Sequence, residues 1–249
     1  MIVTGGTAYQ GYSVGIMKFE GRRYPLPPGD VANPTTYPFP VLIREIPGVD
    51  NNPYPPLTNS DGSYTEVVQK CIDEAIRLEQ EGVNSIAMCC GFFSLIQPII
   101  AAAVSIPVLT SPLIMIPVIH QMLKPEQSLV VVTASKKLLS GAFFTAIGAD
   151  INHRIIVAGL DDSEVFNSMC MGGKAISYET DHLRDDVIGS IQQAQKFDPN
   201  IGAILLECTS LPPFAVDVKE QTGLPVFDFI ACVEWMNRAL MPIRYTGQM

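Results

Sequence analysis

Ser85-Ile-Ala-Met-Cys-Cys-Gly-Phe-Phe-Ser94 is the stretch from which the rest of the chain can be read. A short apolar run ends in two adjacent cysteines and a glycine, and a segment of helical character follows. That order reads as strand, turn, helix. A second stretch repeats it: Ala203-Ile-Leu-Leu-Glu-Cys-Thr-Ser-Leu-Pro212.

The two stretches overlay without a gap. Ile86-Ala-Met-Cys-Cys90 falls on Ile204-Leu-Leu-Glu-Cys208, Cys90 precedes Pro107 by 17 residues, and Cys208 precedes Pro225 by 17. Ile106-Pro-Val108 then matches Leu224-Pro-Val226. A repeat on this scale predicts two similar halves, 1–124 carrying Cys90 and 125–249 carrying Cys208, with the break near Pro125. The closing helix of the first half is expected to cross over from the C-terminus. The overlay also separates the adjacent cysteines: Cys90 pairs with Cys208, and Cys89 with Glu207. Neighbours at a strand end point opposite ways, so Cys90 is the one expected to face a site.

Outward from these turns, the chain alternates between short apolar runs and amphipathic segments. Strands are predicted at 12–19, 39–46, 86–88, 107–109, 127–133, 154–158, 201–206 and 225–228. Val67, Val68, Cys71, Ile72, Ala75, Ile76 and Leu78 recur at helical spacing over Tyr64–Glu81, with Gly82 as the C-cap, which makes Cys71 a core residue. Further helices are predicted at 95–104, 113–123, from the turn after Ala134 to Ile147, and at 181–195, 214–222 and 230–240. Cys232 and Trp235 are expected to pack in the last of these, and His120 to be a packing or surface residue. Strands alternating with helices predict an α/β fold of two pseudo-symmetric parallel-sheet units, with the active site in the cleft between them. Ligands in such sheets sit beyond the carboxyl ends of strands, where both cysteine turns fall.

Two loops stand apart. Proline blocks a helix throughout Tyr24–Pro40, which carries Asp30, Asn33, Thr35 and Thr36. These side chains either satisfy the loop's own turns or contact substrate. Asp30 is a candidate partner for a cationic group, and Tyr24, Tyr37 and Phe39 are candidate pocket walls. Asn51–Ser63 is a second such loop and a candidate lid. Thr133 and Ser135, at the end of the strand that opens the second half, are candidates to hold a carboxylate or to cap the following turn.

Composition narrows the function classes. The 249 residues are 47% apolar and 16% charged, enough to bury a sizeable core. The net charge is −9, with no run of Lys or Arg, which argues against a nucleic-acid or anionic-membrane surface. The N-terminal residues lack a basic, then apolar, leader pattern, and Pro and Ser interrupt the longest apolar stretch, around Ile99–Ile119. A cytoplasmic protein is expected, its cysteines (71, 89, 90, 170, 208, 232) as thiols. With no C-x-x-C pair and isolated histidines at 120, 153 and 182, a structural zinc site is not expected.

A cysteine between a strand end and a helix start meets N–H groups that favour a thiolate. The same groups, with Gly91, Phe92, Thr209 and Ser210 around them, are candidates to hold a carboxylate. Two such thiols across a cleft form an acid/base couple: one takes a proton from carbon, the other returns one from the opposite face. This chemistry inverts a stereocentre without a cofactor. Burial of both cysteines as core residues is the plainer reading, though matching positions in a repeat weigh against it. A redox dithiol is the other alternative.

Cys90-Gly-Phe-Phe and Glu207-Cys-Thr-Ser-Leu-Pro-Pro213 resemble the cysteine turns of the aspartate/glutamate racemase superfamily, whose members are cofactor-independent enzymes with one cysteine from each of two α/β halves. The overall pattern is similar to an outlying branch, that of the algal-type dimethylsulfoniopropionate lyases and their bacterial relatives. The likeness implies catalytic roles for Cys90 and Cys208, a small-molecule carboxylate substrate, no cofactor, and a homodimer or higher homo-oligomer. Two motifs depart from it. The Asp-Ser-Gly turn of glutamate racemases is replaced after the first strand by Lys18-Phe-Glu-Gly-Arg-Arg, and their Cys-Asn-Thr by Cys-Gly-Phe. The family's contacts to a substrate amino group therefore do not carry over. Three functions stay open: a racemase or epimerase acting beside a carboxylate or carbonyl, on an amino-acid or hydantoin-like substrate; a lyase of the dimethylsulfoniopropionate type; and a metabolite-binding module without catalysis.

Overall fold

The computed structural model describes residues 5–21, 23–50, 56–151, 153–171 and 177–247. Among the described residues, eight strands form two parallel sheets with the same plan. In chain order they are β1 (Val14–Phe19), β2 (Val41–Ile46), β3 (Ile86–Met88), β4 (Val108–Leu109), β5 (Ser128–Thr133), β6 (Ile155–Gly159), β7 (Ile201–Leu206) and β8 (Val226–Asp228). One sheet runs β2-β1-β3-β4 and the other β6-β5-β7-β8.

The repeat reaches into the register. Ile86 pairs with Val108 in the first sheet and Ile204 with Val226 in the second, the positions the cysteine overlay equates. Gly15 pairs with Ile86 as Val130 does with Ile204. The sequence overlay covered only the third and fourth strand of each half; the structure extends it to all four.

Buried strands in parallel sheets need helices on both faces. In the first half, α1 (Glu66–Glu81) and α2 (Gln97–Ala103) cover one face. Val68, Cys71, Leu78 and Ile100 share a core there with Met17, Phe19, Ile86 and Met88. α1 ends at Gly82, whose left-handed φ of 103° lets its N–H close back on Leu78 and Glu79. Burial drives the Cys71 thiol up to about 12, as suits a packing residue. In the second half lie α4 (Gly141–Thr145), α5 (Glu164–Phe166) running into a π-helical turn over 167–171, α6 (Thr180–Phe197) and α7 (Ala215–Thr222).

The two remaining helices are exchanged between halves. α3 (Ile116–Met122) leaves the first sheet, yet Ile116 and Ile119 belong to the core around β5 and β7. α8 (Phe229–Leu240) leaves the second sheet, yet Phe229, Cys232, Val233 and Met236 pack against Val14, Ile16, Ala87 and Leu109. The Ser13 hydroxyl donates to Asn237 on α8.

Several sequence expectations shift in detail. Cys232 packs in α8 as expected, but Trp235 is 60% exposed, because α8 turns only the Phe229–Cys232–Val233–Met236 stripe inward. The helix expected up to Ile147 is the short α4. Helices expected at 95–104, 113–123 and 214–222 begin as 3-10 turns, at Gly91–Ile96, Pro112–Met115 and Pro212–Phe214. Pro112 in the second and Pro212 and Pro213 in the third lack the N–H that a longer α-helix would use, whereas Gly91–Ile96 holds no proline. Residues 51–55, the front of the loop read as a lid, and the Cys170 side chain lie outside the described part. Among the described residues, no helix is long and apolar enough to cross a membrane.

Candidate active site

β3 and β7 each end in a cysteine turn at the carboxyl edge of their sheet. From Ser85 to Ser94 every residue is buried except Cys90; from Ile201 to Pro212 every residue is buried except Cys208. Cys89 is buried with Val14, Ile16 and Ala87. The sheet pleat thus spends Cys89 on the core and leaves the Cys90 side chain half-exposed.

The two turns meet. A Cβ built on Gly91 would lie 1.8 Å from Oε1 of Glu207 and 2.6 Å from its backbone oxygen. The residue after one cysteine therefore rests against the residue before the other, and only glycine fits. Phe92 carries the contact further, its ring 5.2 Å from that of Phe143 on α4. Phe92 is 3% exposed and belongs to the core that joins the halves.

The Tyr24–Pro40 loop is hydrogen-bonded to the second turn. Asp30 is fully buried; its carboxylate accepts from the N–H of Ala32 at 2.8 Å and from the Ser210 hydroxyl at 2.9 Å. The Val31 N–H donates to the Thr209 oxygen at 3.3 Å, and the Tyr24 hydroxyl lies 3.4 Å from that of Ser210. Asp30 and Ser210 thus sit together at the junction, with Thr209 buried beside them. Asn33 and Thr35 are turned elsewhere: the Asn33 side chain accepts from both the N–H and the hydroxyl of Thr35, and donates to the Leu26 oxygen. These two residues hold the loop's own 3-10 turn, with Thr35 exposed.

Thr133 and Ser135 already hold carboxylates, both from the chain itself. The Thr133 hydroxyl donates to Glu207 at 2.8 Å. That of Ser135 donates to Asp161 at 2.5 Å, and the N–H groups of Lys136 and Lys137 close on the same carboxylate. These hydrogen bonds hold the Asp161 carboxyl below the usual range even though burial pulls the other way.

Glu207 is the residue that sequence reasoning paired with Cys89 but gave no role. It is 1% exposed, and burial pushes its carboxyl up to about 7, with the Thr133 bond pulling down. Its Oε1 has no hydrogen-bond partner among the described residues. An acidic residue inside an apolar strand end, Leu205-Leu-Glu-Cys208, was the available signal.

A small crevice lined by Lys18, Phe19, Tyr24, Leu26, Ala32 and Cys89 opens at the end of β1. A larger surface cavity of about 850 Å³ runs along β6 between Lys136 and Phe197, and neither Cys90 nor Cys208 lines it. The chemistry on offer at the junction is that of two half-exposed thiols, backbone N–H groups at two strand-to-turn transitions, and buried acids at Asp30 and Glu207.

Comparison with known proteins fits this geometry. The sequence profile of a family described as Asp/Glu/Hydantoin racemase matches residues 44–236. A dimethylsulfoniopropionate lyase of Durusdinium sp. clade D is 29% identical over 234 residues, covering 92% of this chain and 75% of that protein. Dimethylsulfoniopropionate lyase 3 of Emiliania huxleyi (strain CCMP1516) is also 29% identical, covering 92% of this chain and 60% of its own length, so the chain spans less than two thirds of that relative. Among solved structures, allantoin racemase from Klebsiella pneumoniae superposes with a TM-score of 0.59 at 13% identity, covering 92% of this chain and 87% of that one. At that identity the likeness establishes the fold.

Proposed function

Because the chain belongs to the Asp/Glu/hydantoin racemase family, we propose that it is an enzyme that moves a proton at the carbon beside a carboxylate, with the thiols of Cys90 and Cys208 as base and acid. The observation that carries this reading is the matched exposure of the two cysteines: each is the one residue of its turn that is not buried, at equivalent points of two equivalent sheets. Packing alone gives no reason for that coincidence.

In the proposed reaction one thiolate takes the proton from the α-carbon. Thiolate, not thiol, is the competent base. Backbone N–H groups at Gly91 and Thr209, next to the thiols in the chain, hold the substrate carboxylate and steady the charge that develops on it. Thr133 and Ser135 are assigned to the scaffold, since their hydroxyls are engaged by Glu207 and Asp161.

The carbanion then has two outcomes. If the second thiol delivers a proton to the opposite face, the stereocentre inverts and the enzyme is a racemase or epimerase. The matched cysteines at equivalent strand ends of the two sheets and the family match support this. If the β-carbon carries a leaving group such as a sulfonium, the C–S bond breaks with its electron pair going to sulfur, giving an alkene acid and a neutral sulfide. The relatives named dimethylsulfoniopropionate lyases, aligned over 92% of the chain, support this second reading.

One assay separates the two. Amino acids, hydantoins and dimethylsulfoniopropionate are incubated with the enzyme in deuterated water and followed by proton NMR. Deuterium at the α-carbon with appearance of the enantiomer identifies the isomerase; acrylate and dimethyl sulfide identify the lyase. No exchange and no elimination with any α-acidic carboxylate would sink both.

A further inference from the structure

Glu207 touches both cysteine turns. It precedes Cys208 directly, and its Oε1 occupies the space that a side chain on Gly91, the residue after Cys90, would fill. One carboxyl oxygen accepts from Thr133; the other is buried with no hydrogen-bond partner among the described residues. An ionised carboxylate in such a place is poorly compensated, because one oxygen lacks the donors that water would give it.

We propose that Glu207 is a positioning residue of the cysteine site: its neutral carboxyl fills the joint between the turns, and loss of its proton opposes thiolate formation at Cys90 and Cys208. The inference rests on the reading of these cysteines as the acid/base pair. Like charges a residue apart cannot both form cheaply in a buried setting. The neutral acid is the form that leaves the thiols able to ionise. Burial favours that form and pushes the group up to about 7.

The surrounding titratable groups are few. The first-half turn brings Cys89 and Cys90 beside Gly91. The Glu207 turn itself brings Cys208. The docked loop brings Asp30 and Tyr24, both held to Ser210. The end of β5 contributes the neutral hydroxyl of Thr133, with Lys136 three residues on. The end of β1 brings a cation, Lys18, into the crevice with Tyr24 and Cys89; among the described residues Oε1 of Glu207 has no hydrogen-bonded partner.

The test reads thiol ionisation by its chemistry and not by turnover, so it stands apart from any failure to find a substrate. Wild type, Glu207→Gln and Glu207→Met are alkylated with iodoacetamide from pH 5.5 to 10, and the rate at Cys90 and Cys208 is followed by mass spectrometry of their peptides. Gln keeps the Thr133 bond and Met keeps the volume without needing a partner, so the two strain folding in different ways; circular dichroism checks each. The expected result is a midpoint for at least one of the two cysteines lower by about one unit or more in both variants, since the opposing charge is gone. Wild type carries its own signature: the slope of log rate against pH dips near the pH where Glu207 ionises and recovers above it. Unchanged midpoints in a folded variant, or a single-proton curve in wild type at both cysteines, overturn the proposal.

Discussion

Ser210 donates its hydroxyl to the buried carboxylate of Asp30 at 2.9 Å, across a separation of 180 residues. This bond, with the Ala32 N–H on the other carboxylate oxygen, pins the proline-rich loop of the first half to the cysteine turn of the second. Asp30→Ala should strand both donors in a buried place and lower stability by about 2 to 3 kcal/mol. Asp30→Asn keeps an acceptor and should lose less. Urea unfolding of both variants checks the order; equal losses would mean that the single acceptor left in Asn preserves nothing of the clamp.

The adjacent cysteines should behave differently. Cys89→Ala removes a core thiol and should leave most activity, with a stability loss of about 1 kcal/mol. Cys90→Ala and Cys208→Ala should each reduce α-proton exchange by about 100-fold or more, the scale of losing an acid or base. Exchange rates in deuterated water, measured on all three, decide the matter. A Cys89 variant as crippled as the Cys90 variant would reverse the assignment of the pair.

Gly91→Ala is expected to fail for want of space. Its methyl would meet Oε1 of Glu207 at 1.8 Å and the Glu207 backbone oxygen at 2.6 Å. Overpacking of this kind should lower stability by about 3 kcal/mol. Combining it with Glu207→Ala should restore only part of the loss, because the backbone contact stays. Thermal melts of the single and double variants give the comparison, and full recovery would show that the side chain alone set the limit.

Glu207 also predicts a pH dependence of stability. Its folded value, about 7, lies above the ordinary 4.5, so the folded state binds more protons than the unfolded between those limits. Stability supplied by the neutral acid is present below 4.5 and falls as pH rises toward 7. Glu207→Gln lacks this dependence. The variant should therefore gain on wild type as pH rises, by on the order of 3 kcal/mol at pH 7 and above, with little further change. Chemical denaturation at a series of pH values measures the gap; parallel curves would remove the raised value.

The cysteine overlay made the fold class legible because strand register follows covalent spacing. Once Cys90 to Pro107 matched Cys208 to Pro225, pairing of Ile86 with Val108 and of Ile204 with Val226 was all but determined. The difference in burial between Cys89 and Cys90 was legible through the pleat. Glu207 was not, since its meaning depends on Gly91, a residue far away in sequence that leaves room for it. The duties of Asn33 and Thr35 were equally hidden. Turn-forming residues look alike whether they bind their own loop or a ligand, and only the partners Leu26 and Thr35 reveal which. The 3-10 start after Cys208 was legible in Pro212 and Pro213, which lack the N–H of a continuing helix; the one after Cys90 carries no proline to mark it.

The exchange of α3 and α8 bears on how the chain is made. During synthesis the first sheet leaves the ribosome with the face of Val14, Ile16, Ala87 and Leu109 uncovered, because Phe229, Cys232, Val233 and Met236 have yet to be translated. Emergence of α8, and not completion of the first half, is then the event that seals that face. A stalled or C-terminally clipped product would present a bare apolar sheet to its neighbours, and should be a client of chaperones even though its own strands are already paired.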